Sequence, residues 1–450
     1  MKILVIGSGG REHALCWALK RTAAAPVELY CAPGNDGIAQ TARRVALKAT
    51  DATALADFAA TERIDLTVVG PEAPLAAGLV DEFAARGLTV AGPRAAAAQL
   101  EASKVFAKEF MARHNVPTAR FRVAATAEEA RGLLRRGEFG GADAPVVVKA
   151  DGLAAGKGVV VARTRAEAER AVAELMEEGR VGREAARRII IEEALAGREA
   201  SLLLWADGRD YALMPAARDH KRVGEGDRGP NTGGMGAVTA PDVLDEETLR
   251  RIVREVVEPT LAGAAADRLD FRGVLFVGLM LTAEGPRVLE YNVRFGDPEA
   301  QAILVRLRSD LAAVFDAVAR GGLGATPVEW SDDASACVVL AARGYPERPE
   351  TGARIEGLTD TGGPAAADER PGVELFHAAT RRDSDGAWRT DGGRVLGVTA
   401  AAPVLDQALA ACYDTIRHIN WAGLHYRRDI GQFSRQEPES RSQKPEVRSQ

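Results

Sequence analysis

Along the first hundred positions the apolar residues fall in short runs, and each run stops at a glycine or a proline. Residues 2–6 (KILVI) read as a buried strand that turns through Gly7-Ser8-Gly9-Gly10 into the helical stretch REHALCWAL. Val27–Cys31 is a second strand running into Pro33-Gly34-Asn35, and residues 52–60 keep a helical period. A third strand, Asp65–Val69, ends at Gly70-Pro71-Glu72; a helix over 75–86 and a strand over 88–91 follow, closed by Gly92-Pro93. Short strands alternating with amphipathic helices predict an α/β N-terminal region built on a doubly wound parallel sheet. Ligands of such sheets sit at the carboxyl ends of the strands.

Near residue 104 the pattern changes to α+β. A helix over 104–114 leads to strands at 146–149, 159–162, 188–193, 200–205 and 211–215, then a hairpin of 274–281 with 287–292. Beyond about 330, strands at 336–341, 373–377 and 394–399 and a helix over 404–416 predict a small mixed α/β domain. The expected division is 1–103, a Rossmann-like substrate domain; 104–328, with a mobile part at about 120–195; and 329–433. Residues 434–450 carry almost no apolar content and read as a disordered tail.

Composition narrows the function. A chain of 450 residues is too long for one ordinary core and fits about three domains. Its 58 basic and 64 acidic residues leave a net charge of −6, which offers no nucleic-acid surface. The apolar runs fall short of the roughly 20 residues that span a bilayer, and MKILVIGSGGREHA reads as a strand and turn rather than a signal peptide. Four scattered cysteines (Cys16, Cys31, Cys337, Cys412) without a Cys-x-x-Cys pair argue against disulfides or structural zinc and point to a reducing, cytoplasmic compartment. Only nine of the basic residues are lysine, and five of these (Lys104, Lys108, Lys149, Lys157, Lys221) lie in or beside the motifs below. Lysine is a compact ammonium suited to phosphate oxygens.

Gly7-Ser8-Gly9-Gly10-Arg11-Glu12 resembles a dinucleotide fingerprint with Glu12 at the third glycine. That glycine normally lets helix and strand pack closely, so its loss weakens a dinucleotide reading. Backbone amides at the start of the helix still suit a phosphate. Lys149-Ala150-Asp151-Gly152-Leu153-Ala154-Ala155-Gly156-Lys157-Gly158-Val159 lacks both the first glycine and the hydroxyl of a Walker A loop. It reads instead as a glycine-rich flap between two strands, able to wrap a polyphosphate. Ile189-Ile190-Ile191-Glu192-Glu193 is a strand ending in acids that can face an adenosine. In Glu290-Tyr291-Asn292-Val293-Arg294-Phe295, the alternation of a strand sets Glu290, Asn292 and Arg294 on one face. Two oxygen ligands beside a guanidinium suit a Mg2+–triphosphate and a carboxylate. An amphipathic half-exposed strand fits the same alternation. Residues 219–236, with six glycines between 224 and 236, read as a long substrate loop without regular structure. Isolated histidines such as His13 and His220 read as local hydrogen-bonding groups.

Together the strings IGSGGREHAL, APGN, VVGPEAPL, VVVKADGLAAGKGVVVA, DHKRVGEGD, GPNTGGMGA, EYNVRFGDPE, GGRVLGVTA and YRRDIG resemble the ATP-grasp superfamily, and within it the glycinamide ribonucleotide synthetases, over residues 1–433. The resemblance implies a central ATP-grasp fold and a ligase that joins glycine to 5-phosphoribosylamine at the expense of ATP, in purine synthesis. It implies that Lys104, Lys149, Gly152, Gly156, Lys157, Gly158 and Val159 hold the ATP phosphates. Glu192, Glu193, Leu195 and Glu199 would hold adenosine, and Glu290 and Asn292 Mg2+ (or Mn2+). Arg294, Asp219 and Lys221 form the catalytic set around glycine; Gly9, Gly10, Asn35, Glu72 and Asp297 meet the phosphoribosyl substrate. A monomer acting on small molecules is expected. Arg218, Glu225 and Arg198 depart from the family pattern, at the substrate loop and beside the ribose contact. A formate- or bicarbonate-using ATP-grasp enzyme, a nucleotide-dependent oxidoreductase and a nucleotide-sensing module are the competing readings.

Overall fold

The computed structural model describes residues 1–154, 157–365 and 372–432. Gly156 of the flap and the tail 434–450 lie outside the described residues. The N-terminal sheet is five-stranded: β1 (Lys2–Gly7), β2 (Glu28–Pro33), β3 (Arg43–Arg44), β4 (Leu66–Val69) and β5 (Val90–Ala91). Its order is β3-β2-β1-β4-β5 with every pairing parallel, so the loops after β1, β2 and β4 share one edge. The helix expected over 75–86 is two helices, Glu72–Ala76 and Leu79–Ala85, separated at Gly78, whose φ of 86° no continuous helix can hold. The strand expected over 88–91 shortens to β5.

Four strands follow in an antiparallel sheet of order β6-β9-β7-β8: β6 (Phe121–Ala124), β7 (Val146–Ala150), β8 (Val159–Ala162) and β9 (Ile189–Glu193). Val146, Val148, Ile189 and Ile191 turn into a core with Leu133 and Leu175, which leaves the alternate residues Lys149 and Glu192 on the opposite face. These two are diagonal neighbours, because Val147 pairs with Glu192 and Lys149 with Ile190.

The largest sheet has nine strands: β10 (Arg198–Asp207), β11 (Tyr211–Leu213), β12 (Ala217–Asp219), β15 (Gly236–Thr239), β16 (Arg272–Thr282), β17 (Gly285–Asn292), β18 (Ala334–Ala341), β19 (Val373–His377) and β22 (Arg394–Ala402). Among the described residues, two separate hairpins complete the strands, β13 (Arg222–Gly224) with β14 (Arg228–Asn231) and β20 (Thr380–Arg382) with β21 (Trp388–Thr390). Residues 219–236 are therefore not the structureless loop that their glycines suggested. They leave the large sheet along β12, form the β13–β14 ribbon and return along β15. The glycines serve the turns, Gly226 and Gly229 having φ of 65° and 81°. The three strands expected beyond residue 330 extend this same sheet through the antiparallel pairing of β15 with β18.

Alternation along β1 and β16 ties the N-terminal and large sheets together. Leu4, Ile6, Leu275 and Val277 belong to one buried cluster, while Ile3, Val5, Val274, Phe276 and Phe295 belong to another. The loops that end β1, β4, β7 and β17 thus converge on one cleft.

Candidate active site

The cleft holds about 1460 Å3 and is lined by residues of the antiparallel roof sheet and the large sheet, and by Arg11, Pro71 and Glu72 from the segments that follow β1 and β4. At its floor β17 shows the expected alternation: Tyr291, Val293 and Phe295 are buried in the core, whereas Glu290, Asn292 and Arg294 face the cleft. Gly278, opposite Glu290 on β16, leaves its side chain room; a Cβ there would lie 3.3 Å from Glu290 Cγ. Burial alone would raise the Glu290 carboxyl, but Lys221, Lys149, Lys104 and Arg294 outweigh it and hold the group below its ordinary value. The described residues contain no cluster of three or more His, Cys, Asp or Glu side chains able to hold a metal. A carboxylate and an amide oxygen are hard donors, and such a sparse set fits an ion that draws the rest of its shell from phosphate and water.

Arg294 is clamped. Its Nη2 lies 2.8 Å from Glu101 Oε1, its Nε lies 3.3 Å from Glu72 Oε2, and its Nη1 donates to Phe295 O at 3.0 Å. Glu101 also accepts from Val293 N at 2.8 Å, and burial pushes its carboxyl up despite Arg294. Glu101 was missed in the sequence; its only signal is that it is the one charged residue in the helix Ala95–Ala102. Nearby, Asp297 pairs with Arg394 at 2.8 Å and accepts from Gln301 at 2.8 Å. Arg394 comes from β22 and also donates to Gly233 O and Asp297 O, both at 2.6 Å. It stands in the quoted GGRVLGVTA string, yet only the fold brings it to Asp297.

On the roof of the cleft, Glu192 is 1% exposed and sits between Lys108 at 3.0 Å and Lys149 at 2.9 Å. Its carboxylate is thus engaged by two lysines rather than free for an adenosine. Lys108 also donates to Thr118 Oγ1 at 2.6 Å, and burial lowers its ammonium to about 8. Lys104 instead reaches Gly152 O at 3.3 Å, and Lys149 donates to Leu289 O at 3.1 Å. The carboxylate of Glu193 is held by Arg120, from its backbone N at 2.8 Å and its Nε at 2.7 Å. Leu195, Gly158, Val159 and Lys157 line the cleft beside it. Gly152 packs so closely on Ala185 that a Cβ would meet its Cα at 2.8 Å.

Opposite them, Lys221 lies 3.2 Å from Glu199, and Asp219 and Glu299 share the same wall. Burial pushes Asp219 up, against the pull of Lys221, while burial and the Asp219 charge push Glu299 to about 8. Glu299 is a second residue that the sequence reading missed. The two arginines that depart from the family pattern, Arg198 and Arg218, line the cleft as well, and burial and the Arg198 charge lower Arg218 to about 10.

Two expectations at the N-terminal loops need correction. Asn35 donates through Nδ2 to Ser8 O (2.8 Å), His377 O (2.9 Å) and Ala378 O (3.0 Å), and its Oδ1 accepts from Ile38 N (2.9 Å). The whole amide is spent on tying loops together. The Gly9 amide, read as a phosphate donor, is capped by Glu12 Oε2 at 2.6 Å. Gly10 is buried against Gln301 and Ala378. His13 and His220 accept backbone N–H groups, from His377 and Gly431, as local hydrogen-bonding groups should.

Similarity to known proteins identifies the family. Three models of phosphoribosylglycinamide synthetase match in series: the N domain over residues 1–101, the ATP-grasp (A) domain over 102–300 and the C domain over 335–433. The chain belongs to the phosphoribosylglycinamide synthetase family. Among its relatives, phosphoribosylamine–glycine ligase of Brucella melitensis is 48% identical over 96% of this chain and 97% of its own. That of Chlorobaculum tepidum is 48% identical over 96% and 99%. The crystal structure of phosphoribosylamine–glycine ligase from Thermotoga maritima superposes with a TM-score of 0.81 at 34% identity, covering 95% of this chain and all (100%) of that one. The ATP-grasp (A) domain match, residues 102–300, takes in both the antiparallel roof sheet and the β16–β17 hairpin.

Proposed function

We propose that this chain is an ATP-dependent ligase that joins glycine to 5-phosphoribosylamine through glycyl phosphate, giving glycinamide ribonucleotide, ADP and phosphate for purine synthesis. The observation that carries the reading is the face of β17, where Glu290 and Asn292 stand beside a clamped Arg294 and opposite Lys149. A carboxylate is a poor electrophile at neutral pH, so it must first take the γ-phosphoryl group. Lys104, Lys149 and Lys157 neutralise the phosphates, with Gly152, Gly158 and Val159 of the flap above them. The backbone around Glu193 and Leu195 meets the adenine and Glu199 the ribose. Glu290 and Asn292 would hold a divalent ion, Mg2+ or Mn2+, which would offset phosphate charge.

Arg294 holds the glycine carboxylate, and its fork is oriented in advance by Glu72 and Glu101, so no reorganisation is needed as charge develops. Asp219, with Glu299 beside it, receives the glycine ammonium, and Lys221 balances both acids. Glu72 and Asp297, at the end of the cleft nearest the N-terminal sheet, face the phosphoribosyl substrate. Water would hydrolyse the mixed anhydride, so the roof, about residues 120–195, closes over it. The chain acts as a cytoplasmic monomer with domains 1–103, 104–328 and 329–433. Incubation with ATP, either metal, a panel of small carboxylates and phosphoribosylamine generated in place tests this by mass spectrometry. The expected product is glycinamide ribonucleotide with one ADP each; equal use of formate, or ADP without amide, overturns it.

A further inference from the structure

The string YRRDIG near residue 430 has no part in the chemistry above, yet Arg427 within it is 0% exposed. Residues 425–431 run beside the β13–β14 hairpin and bond it along its length. Arg427 Nη1 donates to Arg222 O at 3.1 Å and to Asp227 Oδ1 at 2.7 Å, while its Nε and Nη2 take both oxygens of Asp429 at 2.8 Å. Asp429 in turn accepts from Gly226 N at 2.8 Å, and His425 Nε2 donates to Val223 O at 2.8 Å. Arg428 N donates to Glu225 Oε1 at 3.2 Å, and Gly431 N to His220 Nε2 at 2.9 Å.

This segment is itself anchored. Residue 425 bonds Ala341 on β18 in both directions, at 2.7 and 3.0 Å. The Tyr413 hydroxyl donates to Arg427 O and accepts from Ile430 N, both at 3.1 Å. Among the described residues, the hairpin's own ties are the pairings of Arg222 with Asn231 and Gly224 with Arg228 and the bond from Arg222 Nη1 to Gly229 O at 2.8 Å. The hairpin is a two-stranded ribbon outside the large sheet, and such ribbons are marginal in water. Asp219, His220 and Lys221 form its entry. The Gly431–His220 bond therefore falls between the two side chains that face the cleft.

We infer that residues 425–431 are a strap, and that Arg427 is a positioning residue which holds the hairpin and thereby keeps Asp219 and Lys221 aligned for the carboxylate substrate. Arg427 makes four bonds to a carbonyl and two carboxylates from a planar fork; an ammonium has three donors at a single point and cannot reproduce all four. The assignment of that substrate as glycine rests on the proposed function.

The test uses the full chain with Arg427→Lys and Asp227→Asn, each measured by amide exchange of the hairpin and by steady-state kinetics. Asp227 has a φ of 54°, which asparagine accepts, so that variant weakens its side-chain links to Arg427 and to His220 (3.8 Å) without straining the backbone. Both variants should speed exchange at residues 222–231 by about ten-fold or more, and raise the glycine KM by about ten-fold, with the ATP KM within about two-fold. Unchanged hairpin protection, or a glycine KM that moves no more than that of ATP, overturns the strap. If the unaltered chain fails to use glycine at all, the proposed function fails, and the exchange measurement still decides the strap.

Discussion

Arg294 is held from two sides by Glu101 at 2.8 Å and Glu72 at 3.3 Å, so its direction as well as its charge is set before substrate arrives. Lysine keeps the charge and loses the fork. Arg294→Lys should lower kcat/KM for glycine about 100-fold, roughly 2.7 kcal/mol, while ATP binding measured by calorimetry stays near that of the parent. Glu290→Ala removes a carboxylate that four cations keep ionised; kcat should fall roughly 10²–10³-fold, and metal titration should no longer saturate normally. The two lysines on helix Lys104–Arg113 should separate by readout. Lys104→Met should depress turnover with little change in melting temperature. Lys108→Met should destabilise by about 2 kcal/mol, less than the roughly 3–5 of a fully orphaned buried charge, because Lys149 still neutralises Glu192. Equal melting temperatures for the two variants would remove Lys108 from its structural role. These pairings were only partly legible beforehand. The spacing of Glu290, Asn292 and Arg294 announces a shared face, but nothing local tells Lys104 from Lys108, since they differ only in what the roof sheet lays against them.

At the scale of elements, the first turn inverts a familiar arrangement. Glu12 occupies the position where a third glycine would relieve helix–strand contact, and the relief comes from the other partners. Gly7, with a φ of 128°, and Gly70 both lie where a Cβ would overlap the Glu12 carboxylate. The buried carboxylate then caps Gly9 N and pairs with Arg11 Nε at 2.7 Å. Gly70→Ala should cost roughly 2–4 kcal/mol by overpacking, read as a lower urea midpoint. In a Glu12→Gly background the same change should cost under about 1 kcal/mol; an equal cost in both backgrounds would mean that the overlap is not the cause. The strands of the parallel sheet could be read directly, because runs such as Ile3–Ile6 are buried on both faces and nearly all apolar. The β13–β14 ribbon could not. Its strands are short, polar and half exposed, so they carry no hydrophobic period, and the bonds from Arg427 to Arg222 O and Asp227 come from some 200 positions away.

Across the whole molecule, His13 and His377 join the first helix to β19. His377 N donates to His13 Nδ1 at 2.8 Å, and the His377 ring bonds Gly362 O and Thr380 Oγ1, both at 2.8 Å. Burial lowers His13 to about 3, and lowers His377 to about 4 despite Asp36. The unfolded chain takes up protons on these rings below about pH 6.5, and the folded chain does not. Stability is therefore complete above that pH and drains as pH falls toward 4 and then 3, by about 1.4 kcal/mol per unit for each ring. Thermal unfolding should be level from pH 7.5 to about 6.5 and then fall steadily to pH 5, a loss that His377→Gln reduces; a flat profile below 6.5 would dismiss the coupling. The strands of the parallel sheet and the alternation along β17 were determined by the sequence alone, because periodicity and turn residues act over a few positions. Only the tertiary structure decided which lysines meet Glu192, that Glu101 and Arg394 reach the cleft, that Asn35 does not, and that residues 425–431 bond the β13–β14 hairpin. Those outcomes depend on charges and donors brought together from distant segments, where burial strengthens each pairing and leaves little local trace of it.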